Sequence, residues 1–478
     1  MLLAVSVGLF ALAGGGAQAA TTLTPLTAEP FTGATTTDTG WFRPSAGTNV
    51  ACLTAGANTT QLPIKGCVSP AIDAPDSGAL RLTGNGGSLV GTVFNTTSLP
   101  TAQGLHVKFN TYQWNGTTPG ADGISFVLAA TDPTNPAPPT TTGPNGGSLG
   151  YSATQPSTPG VSYGYLGFGL DVFGNFQSSN FGGNDCVASA KVPQSITVRG
   201  PGNGMNGYCK LGTTTVTGGL DAPAATVRPS PVPVEVVVNP GGATATTSGI
   251  SVNANSWLIR VTSLDGTVHN VTGTLPTGSA LSGYGFPASY FDPATGLPYQ
   301  LTFGWAASTG GSNEIHEINR LQATTLNGQL PSYTLAMTDN ETGNFLAGNR
   351  AVVSITPSLI PTEGSESRPA TVTTTFPTGI TPGAVTSDDY TCTISGQVAS
   401  CTHTPGAPVP AGSSLPALDL PVTVAAGTSG SYGITSKVSS TDGRPAQASR
   451  TVTVGTFAAT ATPASVTYGT ADTLAVTG

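Results

Sequence analysis

Apolar residues in this chain come in short runs of Val, Ile, Phe, Tyr and Thr, each cut by Gly, Pro, Asn or Asp. No long stretch repeats its apolar positions with the 3.6-residue period of a helix. Runs such as "GADGISFVL" (120–128), "YLGFGLDVFGNF" (165–176) and "AVVSITPSL" (351–359) read instead as strands. The pattern predicts an all-β protein. Gly and Pro make up about a fifth of the chain, a level that also permits low-complexity disorder. The regular recurrence of strand-like runs argues against that.

The pattern divides the chain. Residues 21–332 read as one large β domain, and a polar Gly/Asn/Thr stretch over 333–350 reads as a linker. A second β unit is expected over 351–456, with strands in "AVVSITPSL", "ATVTTTFP", "YTCTISG", "ASCTHTP", "LPVTVAA", "GSYGITSKVSS" and "SRTVTVG". That many short strands in about a hundred residues suit an immunoglobulin-like sandwich. Residues 457–478 restart the same pattern and stop, as the first strands of a further Ig-like repeat would. An isolated pair of strands cannot bury a core, so the chain reads as the N-terminal part of a longer repeat protein.

Composition narrows the partners. Charged residues are 8% of the chain and the net charge is −8, with no cluster of cations for phosphate. Nucleic acid is therefore not an expected partner. Residues 1–20 form an apolar stretch ending in Ala17-Gln18-Ala19, the small-x-small pattern of a signal peptide, although the usual basic start is missing; a buried N-terminal strand is the other reading. No later segment approaches the length of about 20 apolar residues that a membrane helix needs. The six cysteines fall as three local couples, Cys52/Cys67, Cys186/Cys209 and Cys392/Cys401, and local pairing is the simplest disulfide framework. No Cys/His spacing suggests zinc.

Two carboxylates set in apolar runs, Asp122 and Asp171, ask for a reason in so uncharged a chain. Four pieces carry one: "GADGISFVL" (120–128), "GGSLGYS" (146–152), "FGLDVFGNF" (168–176) and "LTFGWAASTGGSNEIHEI" (301–318). Together and in this order they resemble the L-type (legume-like) lectin family, and specifically its bacterial surface members; "CLTAG" (52–56) and "GALRLTG" (78–84) extend the likeness over most of residues 30–325. The resemblance implies a concanavalin-like jelly-roll sandwich of two large antiparallel sheets. It also implies a carbohydrate site. Asp122, after a cis peptide, would accept sugar hydroxyls. Gly146 or Gly147 would lend a backbone N–H, Asn175 its amide, and Phe173 a stacking face, with Gly310 and Gly311 in the loop that closes the site. Calcium is the implied cofactor, held by Asp171, the Phe173 carbonyl and Asn175, all hard oxygen donors.

The sequence also departs from the family pattern. A metal-ligating glutamate of legume members is Gly169 here, and their later histidine would fall in "QSITVRG" (194–200), which has none, so no transition metal is expected. A further acidic calcium ligand would fall near Ser179 or Asn180, and Asp185 is the nearest carboxylate, positioned by Cys186 if that residue pairs with Cys209.

Plainer readings stand beside these. Asp122 with Gly123 is a common turn signal, and Asp171 and Asn175 could be turn caps. Glu314 and Glu317 superficially resemble the two-carboxylate strand of glycoside hydrolases on the same fold, but three residues apart they fall on opposite faces. Trp41, Trp114, Trp257 and Trp305 are core candidates, Trp305 alternatively a sugar platform. The expected function is non-enzymatic: a secreted protein of a bacterial cell surface, binding glycans with calcium's help at the tip of a stalk of Ig-like repeats. The alternatives are a structural or protein-binding adhesin and, on the same fold, a glycoside hydrolase.

Overall fold

A computed structural model describes residues 23–44, 49–60 and 63–456. The expected signal peptide (1–20) and the expected start of a further repeat (457–478) lie outside them. Regular structure is nearly all strand, as the alternating runs require; among the described residues one short α-helix, Gly278–Gly283, interrupts it.

Two large antiparallel sheets form the first unit. One runs Val268–Thr274, Ser256–Thr262, Val232–Asn239, Leu105–Trp114, Ile315–Thr324, Leu80–Thr83, Cys52–Leu53. The other runs from Asn206–Gly207 through Gly202–Asn203, Gly164–Asp171, Gly123–Ala130, Gln300–Ser308 and Val90–Asn95 to Trp41–Phe42, with Ser195–Arg199 also paired to Gly164–Asp171. Their inner faces meet in one core, and Trp305 stands at its centre, with ring centroids 5.3 Å from Phe109 and 5.4 Å from Phe126. This is the jelly-roll sandwich that the family likeness led us to expect, within the all-β class that the strand pattern predicts.

The strand Gly123–Ala130 is buried at every position. Its inward residues Ile124, Phe126 and Leu128 join the main core. Its outward residues Val127 and Ala129 are not left to solvent: Leu149, Tyr151, Phe176 and Tyr208 from loops on that face cover them in a second apolar cluster. Burial on both faces is why the run reads as continuously apolar rather than alternating.

Residues 333–350 are not a linker. Tyr333–Asp339 is a strand paired along its whole length with Arg350–Leu359, and Asn344–Leu346 pairs with Ala446–Gly455. The polar residues between them build a tight turn. Asp339 accepts the N–H groups of Glu341 (3.0 Å) and Gly343 (2.7 Å), and Thr342 and Gly343 take positive φ. Polar composition marked a turn that passes from one sheet of the second unit to the other, not a spacer between domains.

The second unit is itself a sandwich of a four-stranded and a six-stranded sheet. Every strand expected there forms, and Arg350–Leu359 alternates buried and open positions in the manner of a half-covered strand. Arg368 of this unit pairs with Asp292 of the first (2.6 Å) and with Asp442 (2.9 Å). The three expected disulfides, Cys52–Cys67, Cys186–Cys209 and Cys392–Cys401, are present. Such bridges persist in oxidising, extracellular or lumenal compartments. No helix of the described residues is long and apolar enough to cross a membrane.

Trp305 is fully buried and so is no sugar platform. Replacing it by Ala should destabilise the jelly roll by about 3–5 kcal/mol, the usual cost of emptying so large a core site. Guanidinium unfolding followed by circular dichroism measures this; a loss below about 1 kcal/mol would contradict the packing described.

Candidate functional site

Strand register places the site. Gly123 pairs with Asp171 on one side and with Ser308 on the other. Three strands therefore end at one level, and the residues just beyond them, Asp122, Val172–Asn175 and Thr309–Gly311, meet at one edge of the sheet. Backbone bonds fasten the junction: the Asp122 N–H donates to the Ser308 carbonyl (2.9 Å), and the Asp122 carbonyl accepts from Val172 (3.0 Å) and Phe173 (3.2 Å). The peptide bond between Ala121 and Asp122 is cis. Asp122 thus enters a strand and does not close a hairpin turn.

Asp122 is 3% exposed, and its Oδ2 is buried without any hydrogen-bond partner. Burial pushes its pKa up to about 7. Gly310 roofs it: a Cβ there would lie 3.0 Å from Asp122 Oδ2, whereas one at Gly311 would meet open space. The glycine loop lies alongside. Ser308 Oγ donates to the Gly146 carbonyl (2.6 Å), and a Cβ on Gly147 would fall 2.4 Å from Asn175 Cβ and 2.8 Å from the Phe181 ring. Gly147 is small because Asn175 needs the space. The structure so brings together Asp122, Gly146, Gly147, Phe173, Asn175 and Gly310. Phe173 is half-buried, but the Lys191 ammonium sits 3.9 Å from its ring centroid, so one face is already occupied by a cation–π contact.

The expected calcium ligands are less well assembled. Asp171 is fully buried and acts as a turn cap: Oδ1 accepts from Gly174 (2.7 Å) and Oδ2 from Phe176 (2.6 Å). Burial, only partly offset by these two bonds, pushes its pKa up to about 8. Asp185 is exposed and turned to other work, accepting from the Gly207 N–H and the Tyr284 hydroxyl, both at 2.9 Å. It stands beside the Cys186–Cys209 bridge, whose sulfurs are bonded to each other and are no metal ligands. The space that a side chain at Gly169 would need holds the Phe176 ring, 2.4 Å from the position of its Cβ. Asp171, the Phe173 carbonyl and Asn175 remain, and Asp171, the one carboxylate among them, already spends both oxygens on the Gly174 and Phe176 N–H groups, whereas calcium draws carboxylate oxygens into a shell completed by carbonyls and water. The residues present do not fit a calcium shell.

Sequence reasoning missed several participants. Arg199 is buried under the loop that carries Asn175, and its lone charge in "SITVRG" was the available signal. Asp221 gave no such signal, because only the fold sets it against Glu314. A Cβ on Gly120 would lie 2.6 Å from Glu314 Oε2 and 2.7 Å from Asp221 Oδ2, so the two carboxyl groups converge on one glycine. Glu314 is fully buried, and burial, with Asp221 adding to it, raises its pKa well above the ordinary range. Its neighbour His316, 3.4 Å away, is held neutral by burial, with a pKa pushed down to about 3. Glu317 points elsewhere: Arg81 (2.8 Å) and Arg228 (2.7 Å) pair with its two oxygens and Trp114 donates at 3.2 Å. Glu314 and Glu317 do not face one reaction centre.

No family model matches the chain, and no curated protein matches it in sequence. Among solved structures it is similar to a Lotus tetragonolobus seed lectin (16% identity, TM-score 0.33, 52% of this chain and 88% of that one). Others are the metal-free form of lectin I-B4 from Griffonia simplicifolia (15%, 0.33, 60% and 99%) and the exoplasmic/lumenal domain of VIP36 in a Ca²⁺/Man3GlcNAc-bound form (13%, 0.31, 60% and 88%). Identities and TM-scores this low leave the chemistry to be read from this chain's own residues.

Because Glu314 holds its proton more tightly folded than unfolded, its contribution to stability is present at acid pH and is lost as pH rises above the ordinary carboxyl range of about 4.3. Glu314→Gln mimics the protonated form at every pH. Its melting temperature should match wild type near pH 5 and exceed it increasingly toward pH 8. Thermal melts at the two pH values check this, and a variant equally or more destabilised at pH 8 would refute the protonated assignment.

Proposed function

We propose that the jelly roll binds glycans, with Asp122 as the acceptor for sugar hydroxyls. The observation that carries this reading is the buried Asp122 carboxylate. It is held by strands on both sides and roofed by Gly310, yet Oδ2 is given no donor by the protein. A buried acceptor without a donor is costly, and a ligand hydroxyl relieves that cost. Asn175 offers an amide with both donor and acceptor, and the Gly146–Gly147 turn allows close approach of backbone. An open groove next to that turn, lined by Ser88, Thr142, Asn145, Thr154 and Thr158, offers hydroxyls to further sugar units.

The role is binding rather than catalysis, since Glu317 is tied to two arginines and does not face Glu314. The chain acts outside the cell, as the tip of a surface adhesin whose second, Ig-like sandwich belongs to a stalk. Many weak sites on one surface would gain avidity. A second reading, a protein-binding adhesin without sugar recognition, is favoured by Lys191, which covers part of the one expected stacking platform.

A glycan array decides between them. Wild type should bind a defined set of glycans, and Asp122→Asn or Asn175→Ala should weaken that binding at least roughly tenfold, as loss of a charge-assisted bond implies. A blank array, with both variants adhering to the natural partner as wild type does, favours the protein-binding reading. Since the ionised form is the better acceptor and its pKa is near 7, affinity should also rise by up to roughly tenfold between pH 6 and 8. Titration calorimetry at both pH values reads this, and a falling affinity would contradict it.

A further inference from the structure

The loop that carries Asn175 is held by two buried polar side chains of the chain itself, Asp171 and Arg199. Ser195–Arg199 lies beside Gly164–Asp171 in the sheet, with Ser195 opposite Asp171 and Arg199 opposite Gly167. Ile196 and Val198 face the main core, so alternation turns Arg199 to the outer face, beneath residues 176–182. There it is 1% exposed. Its Nε donates to the Phe176 carbonyl, Nη2 to the Ser178 carbonyl (2.7 Å) and Nη1 to the Tyr208 carbonyl. The guanidinium also lies 5.1 Å from the Phe176 ring centroid.

The Phe176 residue is thus gripped at both ends: its N–H by the Asp171 carboxylate and its carbonyl by Arg199. Asn175 is the residue immediately before it. A guanidinium spreads its donors in a rigid plane, so it can bind carbonyls from two separate loops at once, as a metal ion does.

We propose that Arg199 is the positioning cation of the site: its guanidinium, in place of a calcium ion, pins the 174–178 loop and so sets Asn175, and the site works without metal. The clamp stands on the geometry alone; its effect on ligand affinity rests on the glycan-binding reading. Burial lowers the Arg199 pKa to about 9, which still leaves the side chain cationic at neutral pH.

The test uses the full chain, stripped of metal by chelator. Calcium titrated by calorimetry should show no binding at millimolar metal, and the melting temperature should be the same in EDTA and in calcium. One calcium bound per chain, with a melting temperature raised by about 5–10 °C at a hundredfold excess over its dissociation constant, would overturn the proposal. Arg199→Lys keeps the charge but cannot span three carbonyls. Hydrogen exchange of the 174–178 amides should accelerate at least tenfold in this variant while distant strands keep their protection. Affinity for the glycan found on the array should fall at least tenfold, with no rescue by calcium. Exchange as slow as in wild type would refute the clamp, and loss of wild-type glycan binding in EDTA would refute metal independence. If Arg199→Lys does not fold, the calcium titration and melts of wild type still decide. A blank array would sink the glycan reading and leave the clamp to calorimetry and exchange.

Discussion

The strand Gly123–Ala130 has no face turned to water, and much else in the molecule follows from that. Its inner side chains meet Trp305 and Phe109, so the second sheet must lie against them. Its outer side chains need a cover as well, and loops after Asn145 and Asp171 supply it with Leu149, Tyr151 and Phe176. Loops that would ordinarily wander over a surface are therefore anchored by apolar burial, at about 25 cal/mol per Å² of area removed from water. The site at the strand ends inherits that rigidity, because Gly147 and Asn175 belong to the same two loops. Preorganisation of this kind lowers the entropy a ligand must overcome.

A chain with so few charges places a notable share of them out of solvent. Glu317 is satisfied by two arginines and a tryptophan, Asp171 by backbone amides, and Arg199 by carbonyls. A buried ion brings little net stability but is costly to leave unpaired, so each one enforces a particular local geometry. Asp122 and Glu314 break the pattern. Neither receives a full set of donors, and burial raises the pKa of both, as it does that of Asp171 despite its two amide bonds. They lie on either side of the same segment, with Glu314 against Gly120 and Asp122 next to the cis peptide bond. Among the described residues, the unsatisfied acidity is gathered around one stretch of backbone.

The second sandwich shows the same economy of polar residues. Asp339 organises a turn through its own carboxylate and also pairs with Arg450, so a segment that looks like spacer is structural. Arg368 joins the two units through Asp292 and Asp442. Being partly exposed, that contact is modest in energy and more a matter of register than of strength.

Alternating and continuous apolar runs by themselves determined the all-β class and the strands expected after residue 351, though not the two inside 333–350, and short spacing determined the local cysteine couples, because side-chain period and short sequence separation are local facts. The likeness of a few motifs pointed to Asp122, Gly147 and Asn175, which the strand ends do bring together. What only the tertiary structure decided were relations between residues distant in sequence. Asp185 reads as a neighbour of the Asp171 loop, yet it turns to Gly207 and Tyr284. Glu314 meets Asp221 across about ninety residues, a pairing no period encodes. Arg199, an unremarked charge at the end of a strand, sits under the Asn175 loop because sheet pairing sets Ser195 opposite Asp171. Hydrophobic patterning specifies which face of a strand is buried; which loop then folds over that face, and whose carbonyls a buried cation finds there, is settled when the sheets close.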